Sequence, residues 1–400
     1  MGKEPPRLEL AQVIRRFGEA FAGAGGRSLT SEQRRALRDA ARCRTKELGG
    51  HVRRCGDCGH GEVAYNSCRN RHCPKCHASQ QAGWFERQQQ HLLPCQYFHV
   101  VFTLPAEVTT LVPANPVTVY TALFAAAAEA VRRVAAAPKH LGAQVGSLFV
   151  LHTWGQTLQR HPHVHGIITG GGLSCDASGM VDESPKWVGC RPGFFLPVRV
   201  LSRVFRDVYC QLLTEAFDDG RLVGFADGPA FQAFLKPLQD RDWVVYCQAP
   251  MAGPAVVLKY LARYSHRVAF GNSRLTAVDR DTVSFTYKDY RREGRLRTMT
   301  LPGPEFLRRW LHHVLPRGFV RIRSCGLLAN RHRDEKLATA RWLLLAASAA
   351  GPAGSSEPGE TEHRGPACPH CGSRSWFIES RFAANTPPPG VWLCKAADTS

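Results

Sequence analysis

The sequence predicts an α+β fold, a sheet with helices packed on it, preceded by a small cysteine-rich unit. Strand-like and helix-like segments are mixed along the 400 residues without strict alternation, which is typical of that class. Cysteine and histidine are densest between Cys43 and His77. A chain of this length can bury more than one core. We therefore expect a helical segment at 1–40, a cysteine-rich domain at 41–95, a main domain at 96–345, and a linker with a partial ribbon-like tail at 346–400.

Helices are predicted by apolar residues that recur at helical spacing. They cover residues 7–25, 31–48, 117–136, 199–217, 229–240 and 254–268, and one more begins at Pro304. Strands are predicted by runs of β-branched and aromatic residues. They lie in QYFHVVFTLP, SLFVLHTWG, HVHGIITGG, WVVYCQAP, VSFTYKDYRREGRLRTMTL and GFVRIR. The second and third of these strands are expected to be adjacent antiparallel partners. Gly170, Gly171 and Gly172 are expected to form the turn that ends the third.

The charge balance favours a polyanionic partner. Lys and Arg number 52 against 33 Asp and Glu, a net charge of +19. Neutralisation of phosphates by such side chains supplies most non-specific affinity for nucleic acid. The alternative is that the charge only keeps the protein in solution.

Cysteine usage favours metal binding in a reducing compartment. The first residues, MGKEPPRLEL, are polar and hold no apolar leader core. The apolar stretch 120–137 is interrupted by Glu129, Arg132 and Arg133, so we expect no membrane span. In a cytoplasmic protein, clustered cysteines bind metal more often than they form disulfides.

Two CxxC motifs predict a structural zinc ion in the cysteine-rich domain. They pair Cys55 with Cys58 and Cys73 with Cys76, and four such thiolates can close a tetrahedral shell around Zn²⁺. Four further residues could complete a second, cross-braced zinc site: Cys43, His51, Cys68 and His72. The alternative is that the two cysteines are buried thiols and the two histidines cap helices.

The tail repeats half of this pattern. Cys368 and Cys371 form a CxxC motif, and Cys394 is the one cysteine downstream. These three thiols with His370 or His363 make a zinc ligand set. The alternative is a degenerate zinc ribbon that binds no metal.

Two further motifs carry the expected chemistry. His163 and His165 lie two apart in the strand HPHVHGIIT, so their imidazoles point to one face of the sheet and can hold one divalent cation. Tyr260 and Tyr264 lie four apart in a helical pattern, so their phenols share one helix face. A phenol of pKa about 10 needs a polarised phosphate before it can attack, and a bound cation supplies that.

The third metal ligand is open at this stage. His161 shares the strand face of His163 if the strand continues through Pro162, and Gln159 and His266 are the other candidates.

With these motifs in their order, the chain resembles bacterial rolling-circle transposases of the two-tyrosine HUH class, insertion-sequence transposases with an N-terminal zinc-binding domain. HUH denotes two histidines separated by a hydrophobic residue. The resemblance covers about residues 40 to 340 and rests on these segments: FTLP (102–105), HPHVHGIITGGG, YLARYSHRVAFGNSRL, the CxxC region, KDYRREGRLRTMTL and GFVRIRSCGLLANRHRDEKL.

The resemblance implies an antiparallel-sheet HUH nuclease core with packed helices, preceded by the zinc-binding domain. It implies cleavage and transfer of single-stranded DNA at the ends of an insertion sequence through a 5′-phosphotyrosine on Tyr260 or Tyr264. Mg²⁺ or Mn²⁺ is then the cation at His163 and His165, Zn²⁺ binds in the N-terminal domain, and the cell location is cytoplasmic, at the nucleoid. Candidate phosphate contacts flank the tyrosines: Lys259, Arg263 and Arg267.

Three alternatives remain. A replication initiator or relaxase shares the same chemistry. A non-enzymatic zinc-ribbon protein that binds nucleic acid would not need the histidines of the HUH motif. A zinc hydrolase using His163 and His165 would not need the tyrosines, and it is disfavoured because no acidic ligand motif such as HxHxDH follows.

Overall fold

A computed structural model describes residues 8–23, 29–76, 88–250, 256–257, 269–348 and 367–389. Within these residues the fold is α+β, with helices packed on three sheets whose strands all pair antiparallel. The predicted fold class is therefore confirmed, including the small cysteine-bearing unit that precedes the main sheet. Among the described helices, none combines the length and the apolar character needed to cross a bilayer.

The largest sheet has six strands and holds the HUH motif. Its central strand is β5, at Arg160–Ser174, flanked by β3 and β4. The other strands of this sheet are β6, β7 and β11. Their bounds are Tyr97–Thr103 for β3, Ala143–Trp154 for β4, Trp187–Gly189 for β6, Val245–Cys247 for β7 and Ile322–Gly326 for β11. The predicted antiparallel pairing of β4 with β5 is confirmed.

One face of this sheet is covered by three helices. These are α3 (Pro116–Ala136), α4 (Val198–Asp218) and α5 (Gly228–Gln239). Phe102 of β3, Phe149 of β4 and Phe205 of α4 meet there in the main hydrophobic core. Their burial anchors the sheet, because aromatic side chains remove large apolar areas from water.

The opposite face carries a smaller apolar cluster. Tyr97, Leu148 and Ile167 contribute to it, together with Leu337 of helix α7 (Arg333–Ser348) and the buried side chain of Val257. Since side chains alternate along strands, His165 lies on the same face as Ile167.

The second sheet has three strands and packs against helices from both halves of the chain. It consists of β8, β9 and β10, and helices α1, α2 and α6 surround its core. The bounds are Leu275–Val278, Thr282–Asp289 and Arg295–Pro302 for the strands, and Leu10–Gly23, Ser31–Arg42 and Gly303–Leu311 for the helices.

The third sheet joins the two ends of the chain. Strand β1 (Gly50–Cys55) lies between β2 (Gly61–Tyr65) and β12 (Trp376–Phe382). Strand β12 belongs to the tail, yet it pairs with β1 over its whole length.

Two local predictions are wrong. The helix expected over 31–48 ends at Arg42, because Cys43 is extended (φ −61°, ψ 125°) and its thiol turns into a cysteine cluster. The three glycines form no turn, since β5 continues through them to Ser174. A Cβ on Gly172 would lie 2.1 Å from the carbonyl oxygen of Gln144, so glycine is needed there for close backbone approach. The helix expected over 254–268 lies almost wholly outside the described residues.

Candidate metal centre and cavity

Three histidines from two neighbouring strands meet on the open part of the sheet face. His163 of β5 is paired directly across from His152 of β4, and His165 follows two residues later on the same face. One ring nitrogen of each lies within 4.8 Å of the others. The ring centroids of His152 and His165 are 4.4 Å apart, and those of His163 and His165 are 4.8 Å apart.

This donor set can hold a divalent cation. Imidazole nitrogens bind such ions in their neutral form, and three ligands from one side leave positions for substrate oxygens. His163, His165 and His152 are therefore the residues that would hold the ion. His152 is thus the candidate for the third ligand, the position that the sequence left open.

Neither of the other described candidates for the third ligand belongs to the three-histidine cluster. His161 is exposed and stays outside the three-histidine cluster, although its carbonyl oxygen accepts a hydrogen bond of 2.6 Å from Nδ1 of His163. A carbonyl cannot donate, so this contact puts the proton of His163 on Nδ1 and leaves Nε2 as its ligand atom. Gln159 lines the adjacent cavity, and His266 lies outside the described residues.

A chain of hydrogen bonds, buried at His99 and His165 and exposed at Gln248, sets the tautomer of His165. Nδ1 of His165 lies 2.9 Å from Nε2 of His99, and Nδ1 of His99 lies 3.0 Å from Oε1 of Gln248. Burial lowers the pKa of His99 to about 4, so this ring is neutral at neutral pH. The amide oxygen only accepts, so His99 donates from Nδ1 and accepts at Nε2. His165 must then donate from Nδ1, which leaves its Nε2 as the ligand atom.

A cavity of about 700 Å³ opens in front of the three histidines. Its floor is the sheet, and its wall is the β9–β10 hairpin, which contributes Tyr287, Lys288, Asp289, Tyr290 and Arg297. Arg297 forms an ion pair of 3.3 Å with Asp289. Trp154 also lines it and stacks on His152 with ring centroids 4.5 Å apart. Cationic and aromatic side chains beside a metal ligand set fit a phosphodiester with unpaired bases.

The structure does not describe the candidate nucleophiles. Tyr260 and Tyr264 lie outside the described residues, as do the neighbouring cations Lys259, Arg263 and Arg267.

Eight of the described cysteines form two clusters of four, and these clusters separate the two CxxC motifs of the N-terminal part. Cys73 and Cys76 lie with Cys43 and Cys68. Their Sγ atoms are close, with 3.5 Å between Cys43 and Cys76. Cys43, Cys73 and Cys76 are buried and Cys68 is half-buried. Four thiols without an open position fit a structural zinc ion.

Cys55 and Cys58 lie instead with Cys368 and Cys371 of the tail. The predicted grouping of both CxxC motifs in one shell is therefore wrong. The shell around Cys73 is completed by residues on either side of β1, and β1 carries Cys55 away from it. Neither His51 nor His72 belongs to a cluster. His51 lines a surface groove with Arg53 and Arg381, and the backbone N–H of Leu315 donates to Nε2 of His72.

Comparison with known proteins gives the family. Residues 13–104 match the family described as transposase zinc-binding domain, and residues 146–336 match the family described as putative transposase. The chain is 45% identical over 398 residues to "Putative transposase y4qJ" of Sinorhizobium fredii, covering 96% of this chain and 98% of that protein. It belongs to the IS91-type insertion-sequence transposases.

A more distant relative of this transposase is "Transposase for insertion sequence element IS801" of Pseudomonas savastanoi pv. phaseolicola. The two are 29% identical over 300 residues, 72% of this chain and 68% of that one. No solved structure matches the transposase. The family resemblance found in the sequence is confirmed, and the zinc-binding match covers both CxxC motifs of the N-terminal part and all of the Cys43 cluster.

Sequence reasoning missed three residues of this transposase's candidate site. His152 lies within the predicted strand SLFVLHTWG, so a histidine in a strand expected beside the HUH strand was the available signal. His99 lies in the predicted strand QYFHVVFTLP, where a histidine in a strand was again the available signal. For Gln248 no sequence signal was available, because no local pattern encodes the pairing of β7 with β3 that brings it to His99.

Proposed function

We propose that this transposase cleaves and transfers single-stranded DNA at the ends of its insertion sequence through a 5′-phosphotyrosine intermediate. His152, His163 and His165 would hold Mg²⁺ or Mn²⁺, and Tyr260 and Tyr264 would be the nucleophiles. The observation that carries the proposal is the three-histidine cluster at the floor of an open cavity with cationic and aromatic walls.

The position of Val257 supports the role of the tyrosines. Its buried side chain packs in the apolar cluster on the sheet face that also bears the histidines. Tyr260 and Tyr264 follow Val257 closely in the sequence.

The chemistry follows from these groups. The cation, when bound, withdraws electron density from the phosphate oxygens and so makes the phosphorus more electrophilic. The tyrosine Oη forms a bond to phosphorus and loses its proton. The bond from phosphorus to the 3′ oxygen breaks, and that oxygen takes up a proton to become the free 3′-hydroxyl. The phosphotyrosine ester keeps the energy of the broken bond for rejoining.

The cavity wall supports DNA without a complementary strand as the substrate. Lys288 and the half-exposed Arg297, which also pairs with Asp289, face the cavity where backbone phosphates would lie, and Tyr287, Tyr290 and Trp154 offer rings for stacking. Stacking on aromatic side chains requires bases that are not paired. A transposase acting on DNA is expected in the cytoplasm, at the nucleoid.

The test uses a single-stranded oligonucleotide with the element's terminal sequence, together with Mg²⁺ or Mn²⁺. We expect a protein–DNA adduct that survives denaturant. The double variant Tyr260→Phe/Tyr264→Phe should lose it, as should His163→Ala and His152→Ala. The matched control is Tyr287→Phe/Tyr290→Phe, which removes two phenols that line the same cavity and should retain the adduct.

Two results would refute the assignment. An adduct that persists without Tyr260 and Tyr264 but disappears in the control would move the nucleophile to the hairpin. DNA binding with no adduct under any condition would favour the non-enzymatic zinc protein. A replication initiator or relaxase would also form the adduct, so recognition of insertion-sequence ends over plasmid origins separates that case.

A further inference from the structure

The CxxC motif of β1 and that of the tail adopt the same turn. In each, the first cysteine donates its N–H to the carbonyl oxygen five residues later: Cys55 to His60 (2.8 Å) and Cys368 to Ser373 (2.7 Å). In each, the following glycine donates to the carbonyl of that first cysteine, at 3.0 Å for Gly59 and 2.8 Å for Gly372. The left-handed φ angles of these glycines, 69° and 76°, are readily accessible only to glycine.

These two turns face each other with their thiols converging. The Sγ atoms of Cys55 and Cys371 are 3.6 Å apart, as are those of Cys58 and Cys368, and all four lie within 4.8 Å of one another. A tetrahedral zinc ion with Zn–S bonds near 2.3 Å requires sulfur atoms about 3.8 Å apart. A disulfide requires about 2.05 Å. The spacing therefore fits four thiolates around one ion and does not fit two disulfides.

The sheet around this cluster has little apolar core of its own. Side chains of β2 are half-buried or exposed, and Phe377 and Ile378 of β12 are about half exposed. Polar contacts across β1 and β12 help to hold the tail, including the ion pair of Arg54 with Glu379 at 2.7 Å and the guanidinium of Arg53 over the ring of Trp376. Small units with so little buried apolar area are usually held by disulfides or metal ions.

We propose that Cys55, Cys58, Cys368 and Cys371 bind a second structural zinc ion, which closes a ribbon built from both ends of the chain. The matched zinc-binding domain ends at residue 104, so it contains only half of these ligands. The tail is then an integral part of the zinc-binding region rather than a degenerate copy of it. This inference does not depend on the proposed cleavage chemistry.

The test is the zinc content per chain of the full-length protein, measured by plasma mass spectrometry. A His163→Ala background keeps the histidine cluster from adding zinc. We expect two zinc ions per chain in this background, one in Cys368→Ser/Cys371→Ser and one in Cys43→Ser/Cys76→Ser. The matched control Cys190→Ser/Cys325→Ser changes two cysteines outside both clusters and should keep two.

Cobalt substitution gives a second readout that a general loss of folding would not imitate. Thiolate-to-cobalt absorption scales with the number of bound thiolates, so Cys368→Ser/Cys371→Ser should lose half of it and keep the half from the Cys43 cluster. The proposal is overturned if that variant still binds two zinc ions, or if the parent protein binds one.

Discussion

The hydrogen-bond chain from Gln248 through His99 to His165 makes a quantitative prediction about metal affinity. Replacing Gln248 by Leu keeps the approximate volume and removes the acceptor for Nδ1 of His99. Either His99 then keeps a buried donor without a partner, at a cost of about 1–3 kcal/mol, or it changes tautomer. In the second tautomer Nε2 of His99 donates to Nδ1 of His165, and the remaining proton of His165 sits on the atom that should bind metal.

The expected loss of metal affinity follows from the balance between these two tautomers. If the competent tautomer falls from nearly all to between a tenth and a hundredth of the population, apparent Mn²⁺ affinity falls by the same factor. This agrees with the 10- to 100-fold usual for residues that orient metal-binding histidines, about 1.4–2.7 kcal/mol.

The assay is Mn²⁺ titration followed by electron paramagnetic resonance, with the zinc sites filled. Gln248→Glu should bind Mn²⁺ at least as well as the parent, because a carboxylate accepts from His99 and preserves the tautomer. Gln239→Leu, at an exposed position, controls for the substitution itself. Equal affinities of Gln248→Leu and the parent would refute the tautomer argument. Absence of Mn²⁺ binding by the parent protein would instead refute the metal site.

Three further predictions concern the sheet, a buried histidine and the cavity wall. Gly172→Ala should lower the free energy of unfolding by about 3 kcal/mol or more, because its Cβ would clash with the backbone of Gln144. Thermal unfolding measures this. The control is Gly228→Ala, whose Cβ would meet open space. Burial lowers the pKa of His313 to about 4, whereas its pKa in the unfolded chain is about 6.5. Below pH 6.5 the unfolded state therefore binds the proton more readily than the folded state. The free energy of unfolding then decreases as the pH falls from 6.5 towards 4. That loss amounts to about 3 kcal/mol over the whole window and about 2 kcal/mol by pH 5. The drop in unfolding midpoint between pH 7 and pH 5 should therefore be smaller in His313→Gln than in the parent, while the contribution of His99, whose pKa is also lowered to about 4, remains. Tyr290→Ala removes a ring that is 72% exposed at the cavity and should weaken binding of single-stranded oligonucleotides about 5- to 100-fold, measured by fluorescence anisotropy, whereas Tyr290→Phe should not.

Each of these has an outcome that contradicts it. A stable Gly172→Ala protein would mean that β4 and β5 can shift apart at this point. An unchanged pH profile in His313→Gln would mean that the ring is already accessible to protons in the folded state. Equal binding by Tyr290→Ala would place the DNA path away from the hairpin.

Short-range periodicity was sufficient to predict most of the fold. The two-residue period of HPHVHGIIT placed His163 and His165 on one face, and helical spacing located α3, α4 and α5 within one residue at each end. Both results depend only on how a side chain is oriented by its own backbone, which a local sequence pattern contains.

Register and long-range pairing were not accessible in the same way. His152 meets His163 because the loop between β4 and β5 and a bulge beside His152 fix the register, and a shift by one residue would have turned it to the other face. The partners of Cys55 come from the far end of the chain, and the CxxC spacing is the same for every possible pairing. The CxxC motifs therefore identified candidate zinc ligands but not which four cysteines share one zinc ion.

The central position of β1 between β2 and β12 has a consequence for biosynthesis. Strand β1 leaves the ribosome early, but one of its two hydrogen-bonding edges has no partner until β12 has also been translated. An exposed strand edge is a template for aggregation. The nascent chain must therefore keep this edge of β1 shielded by another molecule, or leave β1 unfolded, until β12 emerges. Copies of the element with a premature stop codon after β2 would produce chains that never acquire β12, and we expect those chains to be removed by cellular proteases.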